Sequence, residues 1–197
     1  MAKKRLYVAY GSNLNIEQMK HRCPTAKLVG TGTLADHELQ FKGMPGSSFA
    51  TIAPSKGGIV PVAVWQLRPL DERNLDRYEG YPSHYFKQDL PVKMNDGTEV
   101  TAMVYIMDLK QDFGAPSQSY YDTVFDGYMD CDLDVDVLNE AVRKSVEKYA
   151  AAITDRIGSL ADHSRQMSLF DFDEDEYTDH SGEDFDENEV EPFIPTQ

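Results

Sequence analysis

Gly11, Ser12 and Asn13 follow a short apolar run, and their residue types suit the binding of an anion by the backbone. A glycine after a strand lets the chain turn sharply, so successive N–H groups can converge on a carboxylate or phosphate. The same residues also suit an ordinary strand-to-helix connection in which Ser12 or Asn13 is the N-cap. Taken alone, this segment favours the ordinary connection.

Glu79 is the carboxylate whose neighbours best suit proton transfer. It lies between Tyr78 and Gly80, and Tyr85 follows after a short loop. A carboxylate beside two tyrosines at a helix end can occupy a partly dry pocket, where its pKa rises toward neutral pH. The alternative interpretation is a solvated surface charge, which is the usual state of a glutamate near a helix end.

Tyr120 lies on the first turn of a further predicted helix, directly after Pro116 and Ser117. Proline and serine are typical of helix starts, so capping and core packing explain this segment without a ligand. Taken alone, it does not indicate a site.

Several strands followed by helices must position these residues. The Asp96–Gly97 step predicts a hairpin turn, and Gly57 with Gly58 predicts another turn. This order favours an α+β fold with a mixed or antiparallel sheet, curled toward a barrel and flanked by helices. Strands are predicted at residues 5–9, 27–33, 49–53, 59–67, 85–93 and 99–107, and helices at 14–22, 70–78, 117–128 and 135–157.

The composition predicts one globular domain, residues 1–157, and a disordered acidic tail, residues 158–197. The 197 residues carry a net charge of −15, and residues 171–191 contain many acidic side chains and no Lys or Arg. Dense like charge and low hydrophobicity leave too little apolar burial to order the tail.

Cys23 and Cys131 fit no disulfide or zinc spacing. Without a signal peptide or membrane span in the sequence, we expect a cytoplasmic protein, and the acidic balance argues against nucleic-acid partners.

Taken together, the motifs resemble the γ-glutamylcyclotransferase-like proteins, also called the AIG2-like family. The motifs that carry this resemblance, in chain order, are residues 10–14, 50–52, 64–65, 75–80, Tyr105 and 116–120. The resemblance implies a mixed β-barrel flanked by helices, and it places Glu79 at the position of the catalytic glutamate. It further implies the following substrate-binding residues: Tyr7, Val8, Ala9, Tyr10, Gly11, Ser12, Asn13, Leu14, Tyr85, Tyr105 and Tyr120.

The family's reaction needs no metal or cofactor. The α-amine of a γ-glutamyl compound attacks its own γ-carbonyl and closes a five-membered ring, which gives 5-oxoproline and frees the attached amine or amino acid. The resemblance implies that Glu79 takes a proton from the α-ammonium group and returns it to the departing nitrogen. The alternative function is a non-catalytic module that uses the same pocket to bind a small anionic metabolite.

Two features lie outside this resemblance. The aspartate-rich stretch 130–136 replaces a Gly-Leu-Pro turn, but Val135 and Ala141 occupy positions where an EF-hand requires Gly and Glu, so helix capping by Asp132 or Asp134 is favoured over calcium. In the tail, Gln166 to Phe170 resembles peptides that dock on the bacterial DNA sliding clamp. Such a short motif is easily matched by chance, and recruitment of a partner by the tail stays an alternative function.

Overall fold

The computed structural model describes residues 4–44 and 46–170, with side chains described up to residue 161. This part of the chain forms an α+β fold in which a sheet is combined with helices. Its elements are β1 (Arg5–Ala9), a 3-10 turn (Ser12–Leu14), α1 (Ile16–Arg22), β2 (Lys27–Met44), β3 (Ser47–Leu67), α2 (Pro69–Glu79), β4 (Tyr85–Met94), β5 (Glu99–Met107), α3 (Gln118–Asp130) and α4 (Val135–Phe170).

The strands close into a barrel in the order β1, β3, β2, β4, β5. β1 is antiparallel to β3 and parallel to β5, and the seam between β1 and β5 includes the pair Tyr7 and Met103. Where β2 crosses β4, a Cβ on Gly32 would lie 2.5 Å from the Lys93 carbonyl oxygen, so the close approach of the two strands requires glycine. The predicted barrel-like mixed sheet flanked by helices is confirmed.

The turn predicted at Gly57 and Gly58 is wrong, because β3 runs through both glycines. They lie in an irregularity of the β2–β3 ladder, where the pairing register shifts between Ala35 and His37. A Cβ on Gly58 would lie 2.4 Å from the His37 carbonyl oxygen, so the backbones are too close there for a side chain. Glycine within a strand marks such bulges as well as turns.

Several local predictions are confirmed by the backbone. β4 and β5 form the expected hairpin, with Gly97 at φ +87° in the turn. α2 ends at Glu79, and Gly80 follows in the left-handed conformation expected of a C-cap. Asp134 precedes α4, and its Oδ1 accepts a hydrogen bond of 2.9 Å from the Asp136 N–H, which is the predicted capping role.

α4 continues to Phe170, beyond the helix end predicted at Ile157. Residue contacts divide the chain into two units between Arg156 and Ile157. The domain boundary at residue 157 and the disordered tail stay predictions from the sequence. Residues 171–197 lie outside the described part of the chain. The Gln166–Phe170 motif lies on the last described turns of α4, and its side chains are outside the description.

The core fills the barrel and extends to both faces of its central strands. Val60, Val62, Ala63 and Val64 are all fully buried, although successive residues of a strand point to opposite faces. This part of β3 is therefore covered on both sides. Such a strand provides a rigid support for side chains at its ends.

Candidate active site

A small pocket, about 290 Å³ including its open mouth, lies beside the end of β1 and the C-terminal end of α2. It collects side chains that are far apart in sequence, because β1, the 3-10 turn, β3, α2, β4, β5 and α3 all reach it. Its lining residues are Tyr7, Tyr10, Gly11, Ser12, Asn13, Ala50, Glu79, Tyr85, Tyr105 and Tyr120.

Glu79 is the acidic residue of this pocket. It is the last residue of α2, and the left-handed Gly80 turns the chain away immediately after it. The Glu79 side chain is largely removed from water, and this desolvation raises its pKa from 4.5 to about 7, although Asn13 and Arg22 both favour the charged form. A carboxyl group with such a pKa can both accept and return a proton near neutral pH.

Asn13 connects the loop after β1 to this acid. Its Nδ2 donates hydrogen bonds of 2.8 Å to Glu79 Oε1 and of 2.8 Å to the Tyr7 hydroxyl. Arg22 Nη1 donates to Asn13 Oδ1 at 2.6 Å, which fixes the amide with its N–H groups toward Glu79. The guanidinium group of Arg22 also lies 3.7 Å from the centre of the Tyr78 ring. Asn13 therefore holds one carboxylate oxygen of Glu79 in place.

The loop that carries Asn13 is a short 3-10 turn and not the start of α1. Asn15 is the N-cap of α1, since its Oδ1 accepts a hydrogen bond of 2.9 Å from the Gln18 N–H. The predicted capping role of Ser12 or Asn13 is thus wrong, and both side chains are free to line the pocket. A Cβ on Gly11 would lie 3.1 Å from the Ala50 Cβ, which is closer than most Cβ contacts in proteins, so the loop packs tightly on β3.

Tyrosine hydroxyl groups surround the pocket and are tied to the backbone or to a second carboxylate. Tyr120 accepts a hydrogen bond from the Ala50 N–H at 3.2 Å, and Tyr85 donates to the Ala50 carbonyl at 3.2 Å. Tyr105 donates to Asp76 Oδ1 at 2.5 Å. Burial raises the pKa of Tyr85, Tyr105 and Tyr120 above the ordinary value, so these hydroxyl groups stay protonated at neutral pH. Tyr85 and Tyr105 already donate their protons within the protein, whereas Tyr120 accepts from the Ala50 N–H and can donate to a ligand.

Most residues that the sequence marked for the site line the pocket, and three do not. Val8, Ala9 and Leu14 are at most 1% exposed and belong to the hydrophobic core, so they support the loop from behind. Strand alternation accounts for part of this division, because Tyr7 and Ala9 lie on one face of β1 and Val8 on the other.

Sequence reasoning missed Arg22 and Asp76 as partners of pocket residues. Arg22 binds Asn13, and Asp76 accepts the hydrogen bond of Tyr105 and forms a 2.6 Å ion pair with Lys87. Asp76 lies three residues before Glu79, which places it about one turn away on the same helix. The three-residue spacing from Glu79 is the feature of the sequence that could have identified Asp76. No feature of the sequence pointed to Arg22, because its contact with Asn13 depends on how α1 packs.

Other kinds of site find no support in the described residues. Among the described side chains, those of residues 4–44 and 46–161, no three of His, Cys, Asp or Glu are arranged to hold one metal ion. No helix in that part of the chain is long and apolar enough to cross a membrane. Cys23 and Cys131 are free and buried, and burial raises the pKa of the Cys23 thiol to about 12 and that of Cys131 to about 11. The cytoplasmic location stays a prediction.

Comparison with known proteins gives a consistent result. Residues 7–122 match the family model described as Gamma-glutamyl cyclotransferase, AIG2-like, and this stretch includes the loop at Gly11 and Glu79. The chain is similar to the Gamma-glutamylcyclotransferase of Homo sapiens, with 26% identity over 172 residues that cover 83% of this chain and 91% of that protein. The Mus musculus protein of the same name is 28% identical over 163 residues, with coverages of 79% and 86%.

The fold gives the same result independently of the sequence matches. A solved structure named Gamma-glutamyl cyclotransferase aligns with a TM-score of 0.65 and 28% identity, and the alignment covers 71% of this chain and 86% of that one. None of these comparisons supports a partner for the tail.

Proposed function

This chain belongs to the gamma-glutamyl cyclotransferase, AIG2-like family, and on that premise we propose that it cyclises the γ-glutamyl group of a small substrate to 5-oxoproline. The attached amine or amino acid is released. The observation that carries the proposal is the pocket around Glu79, in which a carboxyl group with a pKa of about 7 lies beside a turn suited to an anion.

The loop after β1 binds the charged end of the glutamyl group in this proposal. The first N–H groups of a helical turn lack partners within the turn, so those near Ser12 and Asn13 suit the α-carboxylate. The hydroxyl groups of Tyr85, Tyr105 and Tyr120 stay protonated and orient the rest of the glutamyl chain. The bound substrate is bent, with its α-nitrogen near its γ-carbon.

Glu79 then carries protons from the attacking nitrogen to the leaving nitrogen. Its carboxylate takes one proton from the α-ammonium group, because only the neutral amine is a nucleophile. The α-nitrogen forms a bond to the γ-carbon, and Glu79 gives its proton to the leaving nitrogen as the bond from the γ-carbon to that nitrogen breaks. The α-nitrogen loses its second proton as it becomes the lactam N–H, and the released amine takes up a proton to become an ammonium ion, so the protons balance. Asn13 donates a hydrogen bond of 2.8 Å to Oε1 of Glu79, so in this scheme Oε2 is the oxygen that exchanges the proton with the substrate.

Orientation supplies much of the rate acceleration in this scheme. The reaction is intramolecular, and holding a near-attack geometry contributes on the order of 7–11 kcal/mol to lowering a barrier. The loop amides and the hydroxyl group of Tyr120, which accepts from the Ala50 N–H and so keeps its proton for the ligand, also stabilise the negative charge that develops on the γ-oxygen. The scheme uses only groups of the chain itself.

The test is the Glu79→Gln variant, assayed for 5-oxoproline release from a set of γ-glutamyl amino acids and amines. We expect turnover to fall by at least about 100-fold, because proton transfer by a positioned group contributes 10²–10⁴-fold. The matched control is Glu99→Gln, which changes an exposed carboxylate at the start of β5 in the same way.

Two results would count against the proposal. Unchanged turnover in a folded Glu79→Gln protein would remove Glu79 from the reaction. Substrate binding without turnover by the wild-type chain would instead favour a module that captures the γ-glutamyl compound without cyclising it.

A further inference from the structure

A second cavity opens directly from the pocket. It measures about 1580 Å³ including its open mouth, and it shares Ser12, Glu79, Tyr85 and Tyr120 with the smaller pocket. We call it the outer groove. Because Glu79 borders both spaces, a molecule that is cleaved at Glu79 can have one part in the pocket and the other part in the outer groove.

Large apolar side chains line the outer groove and are unusually exposed. Phe49, Tyr78 and Met44 are 44%, 48% and 77% exposed, and all three border this cavity. An apolar cluster of this kind, in a concave surface beside polar groups, marks a binding site for an apolar ligand. Aromatic rings and a methionine side chain pack especially well against another aromatic ring.

Two of these side chains contact residues that line the smaller pocket. The ring of Phe49 meets the ring of Tyr120 edge to face, with 5.0 Å between centroids. The hydroxyl of Tyr78 lies 3.3 Å from Ser12 Oγ. The aromatic surface of the outer groove therefore begins where the glutamyl pocket ends, which is where the leaving group of the substrate must lie.

Charge does not select the leaving group in this groove. Arg77 and Asp108 line it with opposite charges, and the remaining carboxyl group on its lining, Glu79, lies at the boundary with the pocket, where the reaction takes place. Apolar contact is the feature that remains to discriminate between substrates.

We infer that the amine released by this chain has a large aromatic or apolar body, which lies against Phe49, Tyr78 and Met44 in the outer groove. The inference rests on the proposed cyclotransferase function and adds the chemical class of the leaving group. Phe49 and Tyr78 then determine specificity, while the pocket around Glu79 holds the glutamyl part that all substrates share.

The test compares γ-glutamyl-phenylalanine with γ-glutamyl-alanine, which differ only by a phenyl ring on the leaving group. We expect kcat/KM of the wild-type chain to be about 10–100-fold higher for the phenylalanine compound, the effect of burying one aromatic side chain. In Phe49→Ala, this ratio should fall by about 3–10-fold, since an aromatic ring against which the leaving group packs is lost. Phe49→Leu should give an intermediate ratio.

Phe86→Ala is the matched control. Phe86 is 43% exposed, close to the 44% of Phe49, but it is on β4 and is not among the residues that line either cavity. Its removal should leave the ratio unchanged. Thermal melting followed by circular dichroism checks that each variant is folded.

The possible failures are distinguishable. If the wild-type chain turns over both compounds at similar kcat/KM, or if the ratio is the same in Phe49→Ala as in the wild type, the inference about the leaving group is wrong and the cyclotransferase function stands. If neither compound nor any other γ-glutamyl amide releases 5-oxoproline, the proposed function is wrong and the inference falls with it.

Discussion

Replacing Glu79 with glutamine should stabilise the protein while it removes activity. The fold raises the pKa of Glu79 from 4.5 to about 7, because the side chain loses solvent around its charged form. At pH 8 the folded protein carries this poorly solvated charge, whereas the unfolded chain carries it in water. Glutamine has a similar shape, accepts the same hydrogen bond from Asn13 and has no charge to desolvate.

The size of the effect follows from the two pKa values. A difference in pKa between folded and unfolded states corresponds to about 1.4 kcal/mol per pH unit, so the charge of Glu79 costs about 3 kcal/mol at pH 8. Below pH 4.5 both states are protonated and the cost is absent. Because the folded state binds the proton more tightly, stability falls as pH rises from 4.5 to about 7, and the full cost remains above that range.

The assay is thermal or urea unfolding of the wild-type chain and Glu79→Gln at pH 4 and pH 8. We expect the variant to gain about 3 kcal/mol at pH 8, or roughly 6–12 °C in Tm, and nearly nothing at pH 4. Glu99→Gln, with its exposed carboxylate, should change stability little at either pH. A Glu79→Gln protein that is no more stable at pH 8 than at pH 4, relative to the wild type, would refute the claim that Glu79 is desolvated.

Three further outcomes are expected. The kcat/KM for a γ-glutamyl substrate should fall below about pH 7, as Glu79 becomes protonated, and a profile flat from pH 5 to 8 would contradict its role as the base. Asn13→Ala removes a hydrogen bond that lowers the pKa of Glu79, so the acid limb of the pH profile should move to higher pH; an unmoved limb would show that Asn13 does not act on Glu79. Ser145→Ala leaves the buried Phe41 N–H without its 2.9 Å acceptor and should cost about 1–3 kcal/mol in urea unfolding, whereas a neutral result would place water at that N–H.

The sequence predicted elements with strong local signals. The β4–β5 hairpin depends on a turn that needs positive φ at Gly97, and α2 depends on helical spacing that ends at Gly80, so both could be predicted from a few residues. Residues 34–44 of β2 could not be predicted as a strand, because Gln40 and Lys42 interrupt the apolar pattern of a buried strand. Lys42 is 5% exposed, and its ammonium group binds the carbonyl oxygens of residues 109 and 111, partners that only the folded chain brings close.

The candidate site, like the fold, could be predicted from the sequence only in part. Glu79 and the loop at Asn13 could be proposed from residue types and order, and the structure joins them through one hydrogen bond of 2.8 Å. The contact of Arg22 with Asn13 could not be anticipated, because it depends on how α1 folds back over the loop. The outer groove was equally hidden, since Phe49 and Tyr78 come from a strand and a helix with no sequence pattern in common.

A ribosome that synthesises this chain releases β1 long before β5, its parallel neighbour across the seam. The seam has two residue pairs, and one of them joins Tyr7 to Met103. β3 is made before β5 and pairs with all five residues of β1, so the first strand already has one partner when β5 is synthesised. Its other edge stays unpaired until β5 emerges, and an open strand edge is one that other chains can capture. Closure of the barrel at this seam therefore removes the last open edge of the strand that carries Tyr7, the partner of Asn13.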